Sequence, residues 1–228
     1  MLIAEELLLL SLDNKTGRAA VGTEKLDPAL GAAVLVELAL AERITVAGDA
    51  EGRRQRGRVS VTFTTPTDHP VLDDALAYVQ AHEGKKMASL IRPMAWQPMF
   101  KGLRPLLLNR LAAAGVLSEQ QGRALGIFPH TTWPTVDDTP ENAIRARIRS
   151  ALVDGTTPTE RTVALIALLH ATGQVARTLP DQDKKTVQRR AKELAQGDWA
   201  ASAVKQAIDA ATAVIVTAAT AGGGDGGS

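Results

Sequence analysis

The chain has 228 residues, 45% of them hydrophobic but only 3% aromatic, and its 26 Lys and Arg against 25 Asp and Glu give a net charge of +1. Near-neutrality carries no global polyanion signal, so any basic function must be a local patch. The absence of cysteine excludes disulfides, thiol catalysis and cysteine-ligated zinc, and it fits a reducing compartment.

Residues 2–12 read as a short amphipathic helix, with Leu7, Leu8 and Leu10 apolar and Glu5 and Glu6 interrupting. The segment lacks a basic leader and falls well short of the ~20 residues a membrane span needs, so a soluble chain without an export signal is expected. Residues 13–17 (Asp-Asn-Lys-Thr-Gly) are turn chemistry. Asp27 and Pro28 predict a helix start, as N-cap and first helical residue, running to about Ala41. Residues 43–46 and 58–64 alternate in polarity and predict a β-hairpin, with Arg53, Arg54 and Arg56 in its loop. A helix is predicted over 68–82, with Leu72, Leu76 and Val79 inward, and a short one over 85–92. Residues 93–100 read as a proline-bracketed apolar loop.

Next comes a helical body over 106–114, stopped by Gly115. Residues 118–121 suggest a cap and short turn, and 125–136 a second hairpin. Helices are predicted over 140–153, 158–172, 181–195 and 199–220. The run 163–169 is apolar on nearly all sides and so should be a buried central helix. The expected fold is a mainly α, single globular helical domain over residues 1–221, with a central buried helix and short peripheral β-hairpins. Residues 222–228, rich in glycine, should form a disordered tail. A helix followed by a hairpin occurs twice, which is the grammar of a winged helix.

The chemistry of an enzyme is not in evidence. There is no phosphate-cradling or dinucleotide glycine loop and no nucleophile elbow. His69, His82, His130 and His170 fall in four separate elements without metal spacing. The adjacent acidic pairs point in different directions on a helix, so they make poor acid–base partners. No catalytic residue, metal or cofactor is expected.

Lys101 and Arg104 are different. Spaced by three, they share a face of a helical turn, at the end where the helix dipole favours anions. Cations beside free N–H groups suit a phosphate. Just before them, Trp96, with Met94, Met99 and Phe100, can form an interfacial wedge, and apolar insertion plus positive charge is a two-part recipe for binding anionic membranes. Arg53, Arg54, Arg56 and Arg58 are a solvated loop or a wing touching phosphates, and Arg145 and Arg149 an exposed helix face with acids nearby.

Several stretches in one order carry a resemblance. They are Glu5-Glu6-Leu7-Leu8-Leu9-Leu10, residues 13–17, Leu35-Val36-Glu37-Leu38-Ala39-Leu40 before Arg43-Ile44, Leu72-Asp73-Asp74-Ala75-Leu76, Trp96-Gln97-Pro98, Arg110-Leu111 up to Gly115-Val116-Leu117, and residues 164–171. Over residues 2–220 the chain resembles the Golgi phosphoprotein 3 family. That resemblance implies a mainly helical domain with a pocket for phosphatidylinositol 4-phosphate, and a role in holding glycosyltransferases through their cytosolic tails and coatomer. Two basic pocket residues of the family fall on Lys101 and Arg104. A tryptophan and an arginine of that pocket fall on Gly22 and Gly31 and are lost. The arginine-rich leader of eukaryotic members is not seen, and the composition suggests a bacterial member.

The reading that follows is a non-enzymatic peripheral membrane protein, cytoplasmic and on the inner face of the membrane. It would bind anionic membrane lipid through Lys101 and Arg104, with Trp96, Met99 and Phe100 at the membrane. The alternatives are a winged-helix nucleic-acid-binding protein, which the net charge argues against, and a scaffold for membrane-enzyme tails. The oligomeric state is open.

Overall fold

The computed structural model describes residues 1–48, 50–96, 102–124, 128–197 and 202–221. Among them are α1 (Ile3–Ser11), α2 (Thr23–Leu40), β1 (Ile44–Val46), β2 (Val59–Val61), α3 (Pro70–Gln80), α4 (Met87–Trp96), α5 (Leu103–Ala113), β3 (Gln120–Ala124), β4 (Phe128–Thr132), α6 (Thr139–Leu152), α7 (Glu160–Ala171), α8 (Val175–Thr178), α9 (Lys184–Gln196) and α10 (Ser202–Ala221). The protein is mainly helical, with two separate two-stranded antiparallel sheets. No helix among the described residues is long and apolar enough to cross a membrane.

The helix α7 is buried from Thr162 to Leu169, as its all-round apolar run requires. It is not the only central helix. All nine residues of α1 are buried as well, Glu5 and Glu6 included, so the expected amphipathic helix is instead sunk in the core. The two carboxylates can be buried because each has a cationic partner: Arg110 for Glu5, and Arg147 and Arg161 for Glu6. Carboxylates also satisfy the start of α1. The Leu2 N–H donates to Glu5 Oε2 at 2.8 Å and the Ile3 N–H to Glu37 Oε2 at 2.7 Å. Around this centre α2 packs on α1, α7 and α10, and α5 packs on α1 and α2.

Several boundaries differ from expectation. The helix α2 begins at Thr23 with Gly22 as N-cap, so Asp27 and Pro28 lie inside it. Proline there removes a single intrahelical bond, and burial of Leu26, Ala29 and Leu30 outweighs that loss. Likewise α4 runs on through Pro93 to Trp96, where a loop was expected. The first hairpin forms as predicted, pairing Ile44 with Val61 and Val46 with Val59. The second is displaced. Its first arm is Gln120–Ala124, whose first two residues were read from sequence as part of a turn, and it pairs Gln120 with Thr132. Gln-Gln-Gly-Arg-Ala has little strand propensity, so the partner strand makes it extended. The short α8 was not foreseen. The glycine-rich segment 222–228 lies outside the described residues.

Candidate functional site

The site is built on the start of α5. Leu103, Leu107 and Leu111, at i, i+4 and i+8, are buried and hold the helix against α1 and α2. The helix begins three residues before the predicted body, with Gly102 as N-cap, so Arg104 sits within its first turn. No acidic residue occupies that turn and no side chain caps it. Pro105 follows and has no N–H to leave unpaired. At the other end Gly115 adopts φ +75° and the Val116 N–H returns to the Leu111 carbonyl at 2.9 Å, a glycine stop of the expected kind.

Arg104 is one-third exposed and has a partner the sequence did not suggest. Its Nε lies 3.5 Å from Asp27 Oδ1 of α2. Burial pushes the Asp27 carboxyl above its ordinary value, with Arg104 opposing and Glu24 adding to the rise. Gly22 and Gly31 lie on the same helix, Gly22 exposed at the N-cap and Gly31 buried within it. A Cβ on Gly22 would come within 2.2 Å of the Glu24 carboxylate, so that carboxylate fills the space a side chain there would enter. The structure therefore brings Arg104 of α5 to Asp27 of α2, the helix that also carries Gly22 and Gly31, and sets the Glu24 carboxylate beside Gly22. Lys101, Met99 and Phe100 lie outside the described residues, as does the side chain of Trp96, which ends α4.

Arg53 and Arg54 are exposed in the β1–β2 loop. Arg58 donates to the carbonyls of Arg54 and Gly84, so it braces the hairpin. Arg145 donates to Glu141 Oε1 at 2.9 Å and to the Thr178 carbonyl, joining α6 to α8. It lines a groove of about 310 Å³ with Arg149 and Arg177, but the contacts of Arg145 and Arg177 there are structural: Arg177 donates to the Leu10 and Leu12 carbonyls at the end of α1. Among the described residues no three metal-binding side chains come together.

The model of one protein family, described as Golgi phosphoprotein 3, matches residues 3–211. The chain is also similar to the vacuolar protein sorting-associated protein 74 of Eremothecium gossypii. The two are 27% identical over 220 residues, covering 84% of this chain and 66% of the relative, a little under two thirds of that protein's length.

Proposed function

The chain belongs to the Golgi phosphoprotein 3 family, and from that membership we propose that it is a non-enzymatic peripheral membrane protein binding anionic lipid headgroups. Lys101 and Arg104 take the headgroup phosphate, and phosphatidylinositol 4-phosphate is the headgroup that the family resemblance implies. Trp96, Met99 and Phe100 enter the interface beside it, on the inner face of the membrane. Cytosolic tails of membrane enzymes are the protein partners the same resemblance implies.

The observation that supports this reading is the place of Arg104: a cation in the first turn of α5, where no acid of that helix stands and the dipole is positive. Such a cation draws an anion from outside its own helix, a place that Asp27 of α2 takes only at 3.5 Å, and membrane attachment without a spanning helix needs charge together with an apolar wedge. Co-sedimentation with phosphatidylcholine vesicles carrying phosphatidylinositol 4-phosphate or phosphatidylglycerol tests it. The Lys101→Ala/Arg104→Ala variant should lose about tenfold or more in binding, since each cation near the surface contributes about 1 kcal/mol. Equal binding by variant and parent would remove the site. Equal binding to both anionic lipids would remove only the preference for the phosphoinositide.

A further inference from the structure

Asp27 and Gly31 are four residues apart on α2 and so share a face of it. Asp27 Oδ1 is buried and accepts no hydrogen bond among the described residues. It lies 3.5 Å from Arg104 Nε, with the two side chains 36% and 33% exposed. Glu24 stands one turn earlier, its carboxylate filling the space beside Gly22. So where the family resemblance puts an aromatic ring and a further cation, this chain sets the Glu24 carboxylate beside Gly22 and brings the Asp27 carboxylate to the side of its guanidinium.

We propose that Asp27 is a specificity-determining residue of the Arg104 site: its carboxylate occupies the guanidinium face that a phosphate would take and repels ligands in proportion to their charge. The proposal rests on the reading of Arg104 as a headgroup ligand. Coulomb repulsion doubles between a monoanion and a dianion at one distance. A phosphodiester such as phosphatidylglycerol carries one negative charge at the phosphate. The phosphomonoester of phosphatidylinositol 4-phosphate carries closer to two. Asp27 therefore costs the phosphoinositide more than the glycerol lipid and levels a preference that Arg104 alone would create. Asn at the same position keeps the shape and removes the charge.

The test compares the parent, Asp27→Asn, Arg104→Ala and the double variant on phosphatidylcholine vesicles carrying either lipid. Circular dichroism checks that each is folded. Asp27→Asn should tighten binding about tenfold on phosphatidylinositol 4-phosphate and about threefold on phosphatidylglycerol, as expected when repulsion scales with charge. In the Arg104→Ala background the same change should give no gain on either. Gain that survives Arg104→Ala, or equal gain on both lipids, overturns the proposal. A parent that needs Arg104 for binding but is unimproved by Asp27→Asn overturns it too, while the reading of the site stands. If the parent does not bind and Asp27→Asn does so through Arg104, the block by Asp27 is confirmed and headgroup binding by the parent is what fails. No binding by any of the four overturns both.

Discussion

Arg110 of α5 reaches back 105 residues to Glu5 of α1, its Nε donating to Glu5 Oε1 at 2.8 Å. The Glu5 side chain is only 6% exposed, so Arg110 is what makes its charge tolerable there. The same bond ties the helix of the candidate site to the central helix. Replacing Arg110 with Ala should cost about 2–3 kcal/mol, below the range for a fully buried pair because Arg110 is itself partly exposed. Removing the charge from both ends with Glu5→Gln/Arg110→Met should recover most of that loss. Urea unfolding measures both, and a double variant less stable than Arg110→Ala would contradict the account.

His69 stands at the N-cap of α3 and extends this network, its Nε2 lying 2.8 Å from Arg110 Nη2. A guanidinium can only donate, so His69 accepts and is neutral. Burial lowers its pKa, with the Arg110 charge adding to the shift and Glu5 opposing it. The unfolded imidazole titrates at the ordinary 6.5, the folded one below that. Between the two values the unfolded chain holds more protons, so stability is complete above about 6.5 and is lost as pH falls through the folded value. His170 shifts in the same direction, through burial and the charge of Lys192, and serves as an internal reference. His69→Gln keeps a neutral acceptor for Arg110 and should flatten part of the loss below pH 6.5, leaving the part due to His170. Superimposable pH–stability curves for parent and variant would exclude His69 as the titrating group.

Local pattern made part of this legible. Leu72, Leu76 and Val79 marked the inner face of α3, the apolar run marked α7, and alternation marked the β1–β2 hairpin. The burial of α1 was not legible, because Glu5 and Glu6 acquire sense only with Arg110, Arg147 and Arg161, which the fold brings from far along the chain. Gln120–Ala124 was missed because a strand without strand-forming residues is made by its partner. At the candidate site the place of Arg104 at the start of a helix was legible from its spacing, and its role there is what the family resemblance implies. Asp27 was read as a helix cap, since Asp-Pro is a good local start signal. Only the longer α2 turns it toward Arg104.

Gly17 tests how tightly the turn after α1 is held. Its φ is +62°, and a Cβ there would lie 2.1 Å from the Trp133 carbonyl carbon and 2.2 Å from the Trp133 nitrogen. Backbone atoms cannot swing aside as a side chain can. Gly52 has φ +85° but nothing within 4 Å of the same position. Both alanine variants carry the left-handed penalty of about 1 kcal/mol, and only Gly17→Ala adds the collision. Its cost should reach about 3 kcal/mol. Similar unfolding midpoints for Gly17→Ala and Gly52→Ala would mean that the β4 end of the second hairpin does not pack on this turn as described.

Arg161 and Arg147 share one carboxylate but should not be equivalent. Arg147 Nη2 lies 2.6 Å from Glu6 Oε2, and Arg161 Nη2 lies 3.5 Å from Glu6 Oε1. Arg161 also pairs with Glu37 and donates to the Met1 carbonyl at 2.6 Å. Glu37 in turn receives the Ile3 N–H. Losing Arg147 leaves Glu6 with Arg161 and should cost about 1 kcal/mol. Losing Arg161 removes the cation paired with Glu37 among the described residues and loosens the entry to α1, for a cost of about 2–3 kcal/mol. Losing both leaves the buried Glu6 with no cation among the described residues, so the double variant should exceed the sum of the singles by about 1–2 kcal/mol. A double-mutant cycle by urea unfolding reads this coupling directly. Strict additivity would show that each arginine acts on a separate partner and that Glu6 is not held jointly.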